Sequence, residues 1–437
     1  MSSANIAAPS ELLTARWFAG KHREVRGERV LDRVVTPQGA LEILEVAYRD
    51  GGRERYGVTK GADGGPGRPQ DRLWGTIVTR LRRGPLATQA GGRLELQAAD
   101  VLDGLLGGGP CDETEIAGDQ SNTLVALGPR LLLKAYRRLA DGLHPEPELG
   151  VALAGTAAPV PRHAGTIVLR APDGSTTTVA LLQELVAGAE SGWEAPIERL
   201  AALLRRDPAA GSDTATAGFA VELAAYAAAG SAAAELHAAL ALACPIATAT
   251  AGDHARWSRD AGEAIGQAAS IEPMVAASAA TLLARVAPLS RPGGADRLGR
   301  IHGDLHLAQY LRTDERLLIV DFEGDPTAPL DARRALDTPL RDLACLVRSV
   351  DHVGSAAARR AGGADPLAWI ARAIDAVVGA YARRSGVRVD PDLLTALEVV
   401  KECRELVYAH SVLPEWRYAP MLGLERLLRR RPGAFGP

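Results

Sequence analysis

Phenylalanine is almost missing from this chain: four residues in 437, within an aromatic content of 4 %. The core must therefore be built mainly from Ala, Leu and Val, a composition that favours helices packed closely through small residues. Cysteine is scarce too. Cys111, Cys244, Cys345 and Cys403 lie far apart with no CxxC pair, which argues against a zinc knuckle or a disulfide framework and points to a reducing cytosol. No charge of one sign dominates: 50 basic against 53 acidic side chains give a net charge of −3. Such balance offers no global pull toward nucleic acid or an anionic membrane. No run of about eighteen uncharged apolar residues occurs, and the N-terminus lacks a basic start followed by an apolar core. The expectation is a cytoplasmic, unexported protein that needs neither nucleic acid nor membrane and acts as a monomer.

What is present suffices for folded cores, with 47 % hydrophobic residues and a length that suggests two to three domains. From Ala40 to Lys60 apolar positions alternate through Leu44, Val46 and Tyr48, break at Asp50-Gly51-Gly52, and resume at Tyr56 and Val58, the pattern of a β-hairpin. Leu73, Ile77 and Leu81 then recur every four residues on a short helix. Residues 1–98 read as a small α+β cap subdomain. Residues 99–187 read as a β-rich lobe, with hairpins around Gly128-Pro129 and Pro172-Asp173-Gly174. Residues 188–437 read as a helical lobe, with long Ala/Leu helices at 217–243 and 367–384 and a single strand, Leu317 to Val320. Such a pairing of lobes predicts ligand binding in the cleft between them.

The densest chemistry lies in Ile301-His302-Gly303-Asp304-Leu305-His306-Leu307-Ala308-Gln309 and in Val320-Asp321-Phe322-Glu323-Gly324-Asp325. Phosphoryl transfer needs a carboxylate to accept the nucleophile's proton and oxygen ligands from two chain segments to hold Mg²⁺ on the phosphates. Asp304 fits the first role. Gln309, five residues on, and Asp321, at the end of the strand, fit the second. Upstream, Lys134 ends the apolar run Leu131-Leu132-Leu133, where it could reach ATP phosphates; a buried lysine needs a partner, and Glu146 and Glu148 both offer a carboxylate at a helix start. Gln120, Ser121 and Asn122 form a loop that would cover the phosphates. Gln183, Glu184 and Val186, at the lobe boundary, would hold the adenine edge through backbone groups. Two other readings stand beside this one. His302, Asp304 and His306 alternate and could hold zinc in a metal-dependent hydrolase, and a nucleotide-binding module without activity would keep the lobes alone. The spacing of Asp325, Asp331, Asp337 and Asp342 leaves open whether they serve metal, sugar or helix caps.

These segments resemble the aminoglycoside-phosphotransferase-like kinases, and within them the actinobacterial maltokinase-like branch. The resemblance spans most of the chain. It rests on Trp17-Phe18-Ala19-Gly20-Lys21, Gln120 to Thr123, His144-Pro145-Glu146-Pro147-Glu148, Gln183 through Gly192-Trp193, Ala234-Glu235-Leu236-His237, residues 302–309, residues 321–326, and Arg341-Asp342-Leu343-Ala344. It implies a two-lobed, protein-kinase-like α+β fold, an ATP- and Mg²⁺-dependent transfer to a sugar hydroxyl, and Glu148 as the partner of Lys134. It also implies that Arg341-Asp342-Leu343-Ala344 braces the catalytic loop. Maltokinases carry a Y-E-x-x-Y-E helix; here Arg404 replaces its first Tyr and Ala409 its second Glu. Those departures resemble the related glucosamine kinases, so glucosamine is the expected substrate, with maltose and an aminoglycoside as alternatives. For an amino sugar the expected contacts are Asp304, His306 and Glu323 on one wall, Glu405 and Tyr408 on one helix face, and Trp416 stacked on the ring.

Overall fold

The computed structural model describes residues 15, 17, 18, 20–107, 112–116, 122–206, 217–292, 297–325 and 328–436. The chain forms two compact units: residues 1–154 with 161–187, and residues 155–160 with 188–437. Cys111, Gln120 and Ser121 fall outside the described residues.

The first unit opens with an antiparallel meander, β1 (Val25–Thr36), β2 (Gly39–Tyr48) and β3 (Arg53–Gly61), and β2 and β3 turn at Asp50-Gly51-Gly52 as the sequence predicts. After α1 (Leu73–Leu81) come β4 (Leu86–Ala87), β5 (Arg93–Ala98), α2 (Leu102–Leu106), β6 (Glu113–Glu115), β7 (Thr123–Leu127), β8 (Leu131–Ala135), β9 (Arg138–Leu139), α3 (Pro145–Leu153), β10 (His163–Arg170) and β11 (Thr176–Glu184). Seven of these strands make one sheet in the order β4-β5-β10-β11-β8-β7-β6, while β9 extends the meander. The structure does not part the chain near residue 98. Strand β5 pairs along its whole length with β10, and Val34, Leu41 and Trp74 share one buried cluster with Leu133, Ile167 and Leu181. The pairing of β5 is non-local, so no turn signal announces it.

In the second unit α4 (Glu194–Arg206), α5 (Ala217–Ala243), α6 (Ala251–Ile271), α7 (Pro273–Val286), α8 (Leu330–Arg333), α9 (Leu340–Arg360), α10 (Leu367–Ser385), α11 (Pro391–Val412) and α12 (Tyr418–Arg429) form a helical body. The Ala-rich α5 and α10 approach so closely that a Cβ on Gly230 would lie 2.2 Å from Val377 O. Strand Leu317–Ile319 is accompanied by Tyr310–Arg312 and Glu190–Ser191, two-to-three-residue strands too short to show a period in sequence.

Helix α9 is buried almost throughout and carries an ionic core. Arg348, with no exposed surface, meets Asp351 at 3.1 Å, Glu398 at 2.8 Å and Glu402 at 3.1 Å. Arg430 pairs with Glu398 at 2.6 Å, Arg426 pairs with Asp351, and His352 Nε2 lies 3.1 Å from Glu402. Three arginines thus face three carboxylates, as a buried ion cluster requires.

Candidate active site

Helix α9 also fixes the segment that precedes Asp304. Asp342, 1 % exposed, accepts hydrogen bonds from the backbone N–H groups of His302 at 2.7 Å and Gly303 at 2.8 Å. His237 Nε2 lies 2.9 Å from the same carboxylate, and its Nδ1 lies 2.9 Å from the Tyr381 hydroxyl. Burial alone would raise the Asp342 carboxyl, but the His237 hydrogen bond and charge hold it below its ordinary value. The brace implied for residues 341–344 therefore works through one carboxylate. The backbone amide of Leu307 is held in turn by Ser349 Oγ at 3.0 Å.

Gly303 has φ +87°, and a Cβ there would stand 3.0 Å from the Cα of Gly324, so two glycines let the catalytic segment and the loop after Asp321 touch. Asp321 itself has φ +70°, a left-handed conformation that is costly for a non-glycine residue and marks functional sites. Gln309 Nε2 donates to Asp321 Oδ2 at 2.9 Å. An amide and a carboxylate from two segments thus converge, as oxygen ligation of Mg²⁺ demands, and the amide has only to turn its oxygen inward.

His302 is 1 % exposed, with Nε2 2.9 Å from Val320 O and Nδ1 accepting from the Asp304 amide at 3.3 Å. Both ring nitrogens bind backbone, so the zinc reading of His302, Asp304 and His306 loses its first ligand.

Asp304 faces a cavity of about 280 Å³ whose lining includes His306, Asp325, Lys401, Arg404, Glu405 and Tyr408. Of the expected sugar contacts, Asp304, His306, Glu405 and Tyr408 come together there. Glu323 is absent from this lining, and Asp325 stands in its place. Trp416 is absent as well. It packs edge-on against Trp193 at 5.4 Å, Tyr418 at 5.4 Å and His352 at 5.9 Å, an aromatic cluster in place of the expected sugar platform. Of the two departures in the last motif, Arg404 lines the cavity, whereas Ala409 is fully buried. Lys401 carries no signal in sequence, because its link to Asp304 joins residues almost a hundred positions apart.

In the β-rich unit Lys134, 7 % exposed on β8, pairs with Glu146 Oε2 at 2.8 Å, and the Tyr136 hydroxyl donates to the same oxygen at 2.8 Å. The first of the two candidate carboxylates is thus a partner of Lys134. Pro145 opens α3 at its first position under an N-cap by His144, which buries Glu146 (3 % exposed); Glu148, two residues on, points to a different side of the helix. Asn122 is buried just before β7. At the end of β11 Gln183 pairs in register with Leu132. Just beyond, the Glu184 amide donates to Arg162 O and the Leu185 amide to Arg130 O, so both amides are already engaged, with Val186 following.

The model of the Phosphotransferase enzyme family matches residues 112–377. The chain belongs to this family. It is 34 % identical to a glucosamine kinase of Mycolicibacterium smegmatis over 90 % of this chain and 95 % of that one. It is 32 % identical to a glucosamine kinase of Streptacidiphilus jiangxiensis over 76 % and 78 %. A solved glucosamine kinase in complex with glucosamine, ADP and inorganic phosphate superimposes with a TM-score of 0.68 at 27 % identity, covering 96 % of this chain and 99 % of that one. The family member described here is an ATP-dependent phosphotransferase with a hydroxyl as acceptor, and its fold is that of the aminoglycoside-phosphotransferase-like kinases.

Proposed function

We propose that this kinase transfers the γ-phosphoryl group of ATP to an amino sugar, converting glucosamine to glucosamine 6-phosphate in the cytosol. The observation that carries the reading is the placement of Asp304 and Glu405 on one cavity: the first suits an acceptor hydroxyl, the second an ammonium. The relatives named above are glucosamine kinases, and Arg404 on the same cavity departs from the maltokinase pattern.

In this mechanism Asp304 orients the sugar hydroxyl and takes its proton. Burial pushes its carboxyl up, but the Lys401 ammonium, then His306, hold it far below the ordinary carboxylate range. A carboxylate so acidic is a weak base, which suits a loose transition state in which orientation outweighs proton removal. Burial lowers the His306 imidazole below its ordinary value, with Asp304 pulling the other way. Gln309 and Asp321 would hold Mg²⁺, which neutralises phosphate charge when bound. Lys134, anchored by Glu146, takes the ATP phosphates, and Gln120, Ser121 and Asn122 close over them. Gln183 through Val186 serve the adenine edge, and Glu148 and Glu323 support the nucleotide and metal segments.

A coupled ADP-release assay with MgATP tests this against glucosamine, glucose, N-acetylglucosamine, maltose and an aminoglycoside, beside Asp304→Asn. Turnover on glucosamine that the substitution abolishes supports the proposal. Turnover on maltose or the aminoglycoside instead refutes the amine-reading cavity, and ATP binding without turnover on any acceptor refutes the kinase.

A further inference from the structure

In the scheme above Lys401 acts only on the charge of Asp304, yet it is the group held closest to that carboxylate. Its Nζ lies 2.9 Å from Asp304 Oδ1 and 2.6 Å from Glu405 Oε1, with a quarter of the side chain exposed. Cys345 Sγ approaches the same Oδ1 at 3.6 Å. The other oxygen, Oδ2, lies 3.6 Å from His306 Nε2. Oδ1 of Asp304 is therefore held by the helices behind it, while Oδ2 is turned toward the catalytic loop.

We infer that Lys401 is a positioning residue for phosphoryl transfer: it grips Asp304 Oδ1, is itself steadied by Glu405, and so presents Oδ2 to the acceptor hydroxyl. This rests on the kinase reading. Residues 401 and 405 are one turn apart on α11, so the Lys401–Glu405 pair forms within one helix and sets the height of the ammonium. The groups facing Asp304 come from three more places: His302 and His306 from its own loop, Arg341 and Cys345 from α9, and Asp325 from the loop after Asp321. Burial keeps the Cys345 thiol protonated, so it brings no charge. Arg341, with Arg404 beside Lys401 on α11, completes three cations against Asp304, Asp325 and Glu405. Removing Lys401 unbalances that set and leaves Asp304 near Glu405 with no cation between them.

The test compares wild type, Lys401→Met and Lys401→Arg in the ADP-release assay with MgATP and glucosamine, from about pH 3 to pH 8.5, with kcat and KM resolved. The expected result for Lys401→Met is a kcat about 10²-fold lower, the loss typical of a misplaced reacting group, at unchanged KM for ATP. Its acid limb moves to higher pH, because Asp304 without its cation protonates more readily. Lys401→Arg keeps the charge and keeps the acid limb where wild type has it. Urea denaturation checks folding, and Lys401→Gln, which keeps a donor and most of the volume, replaces the Met variant should that one fail to fold. A folded neutral variant whose acid limb coincides with that of active wild type overturns the inference alone. Wild type that phosphorylates no sugar overturns the kinase reading, and this inference with it.

Discussion

Replacing Asp342 by Asn changes one oxygen to an amide nitrogen and removes one charge. The carboxylate now accepts from two backbone amides, at 2.7 and 2.8 Å, and meets His237 Nε2 at 2.9 Å. However the Asn side chain turns, its NH₂ faces a donor. Orphaning a buried donor costs about 1–3 kcal/mol, and losing charge assistance on the remaining bonds costs about 1.5–3 kcal/mol. The variant should therefore be about 3–5 kcal/mol less stable, read as a lowered urea midpoint with unchanged slope. The freed amides belong to His302 and Gly303, immediately before Asp304. A displacement of about 1 Å there should lower kcat about 10²-fold in the ADP-release assay, even at temperatures where the variant is fully folded. A folded variant with kcat within about threefold of wild type, or a stability loss under about 1 kcal/mol, would refute the claim that Asp342 holds the loop.

Glu146→Gln leaves the buried Lys134 ammonium without its carboxylate and should cost about 3–5 kcal/mol and raise KM for ATP, whereas Glu148→Gln should cost far less; thermal denaturation and ATP titration of the two variants decide it. Gly303→Ala forces a side chain into φ +87° and against Gly324, so about 1–2 kcal/mol and most of kcat should be lost, as urea denaturation and ADP release would register. Burial holds the His163 imidazole down at about 4 against an ordinary 6.5. Its folded value is depressed, so its contribution is fully present above pH 6.5 and is lost as the pH falls toward 4, by about 3 kcal/mol. His163→Gln should flatten that part of the urea-midpoint profile; a variant that loses stability with wild-type steepness would remove His163 as the cause.

Elements whose signal is local were legible in sequence. The β2–β3 and β10–β11 hairpins announce themselves through alternation and turn residues, and α1 through its four-residue recurrence. Asp304 and Gln309 lie in one short segment, so that their nearness is legible from spacing alone. What escaped depends on contacts between distant residues. Strand β5 means nothing until β10 lies beside it, and Lys401 gains its second partner only when α11 packs against the catalytic loop. That Glu146 meets Lys134 depends on helix phase, which Pro145 at the first helical position sets and a motif does not show. The chemical type of Trp416 suits a sugar, but its ring neighbours are Trp193, Tyr418 and His352, which no local pattern foretells.

The three arginines and three carboxylates around α9 also constrain how this protein can change over generations. Arg348, Arg426 and Arg430 are costly to lose one at a time, because each loss leaves the buried carboxylates one positive charge short in a place water does not reach. Wholesale replacement by apolar residues would be tolerated, but no single-step path leads there. The six positions should therefore be inherited together, and a descendant that has exchanged one should carry a second exchange across the cluster. Since α9 also supplies Asp342, drift in the ionic core is tied to drift in the catalytic loop, although no residue of that core borders the cavity.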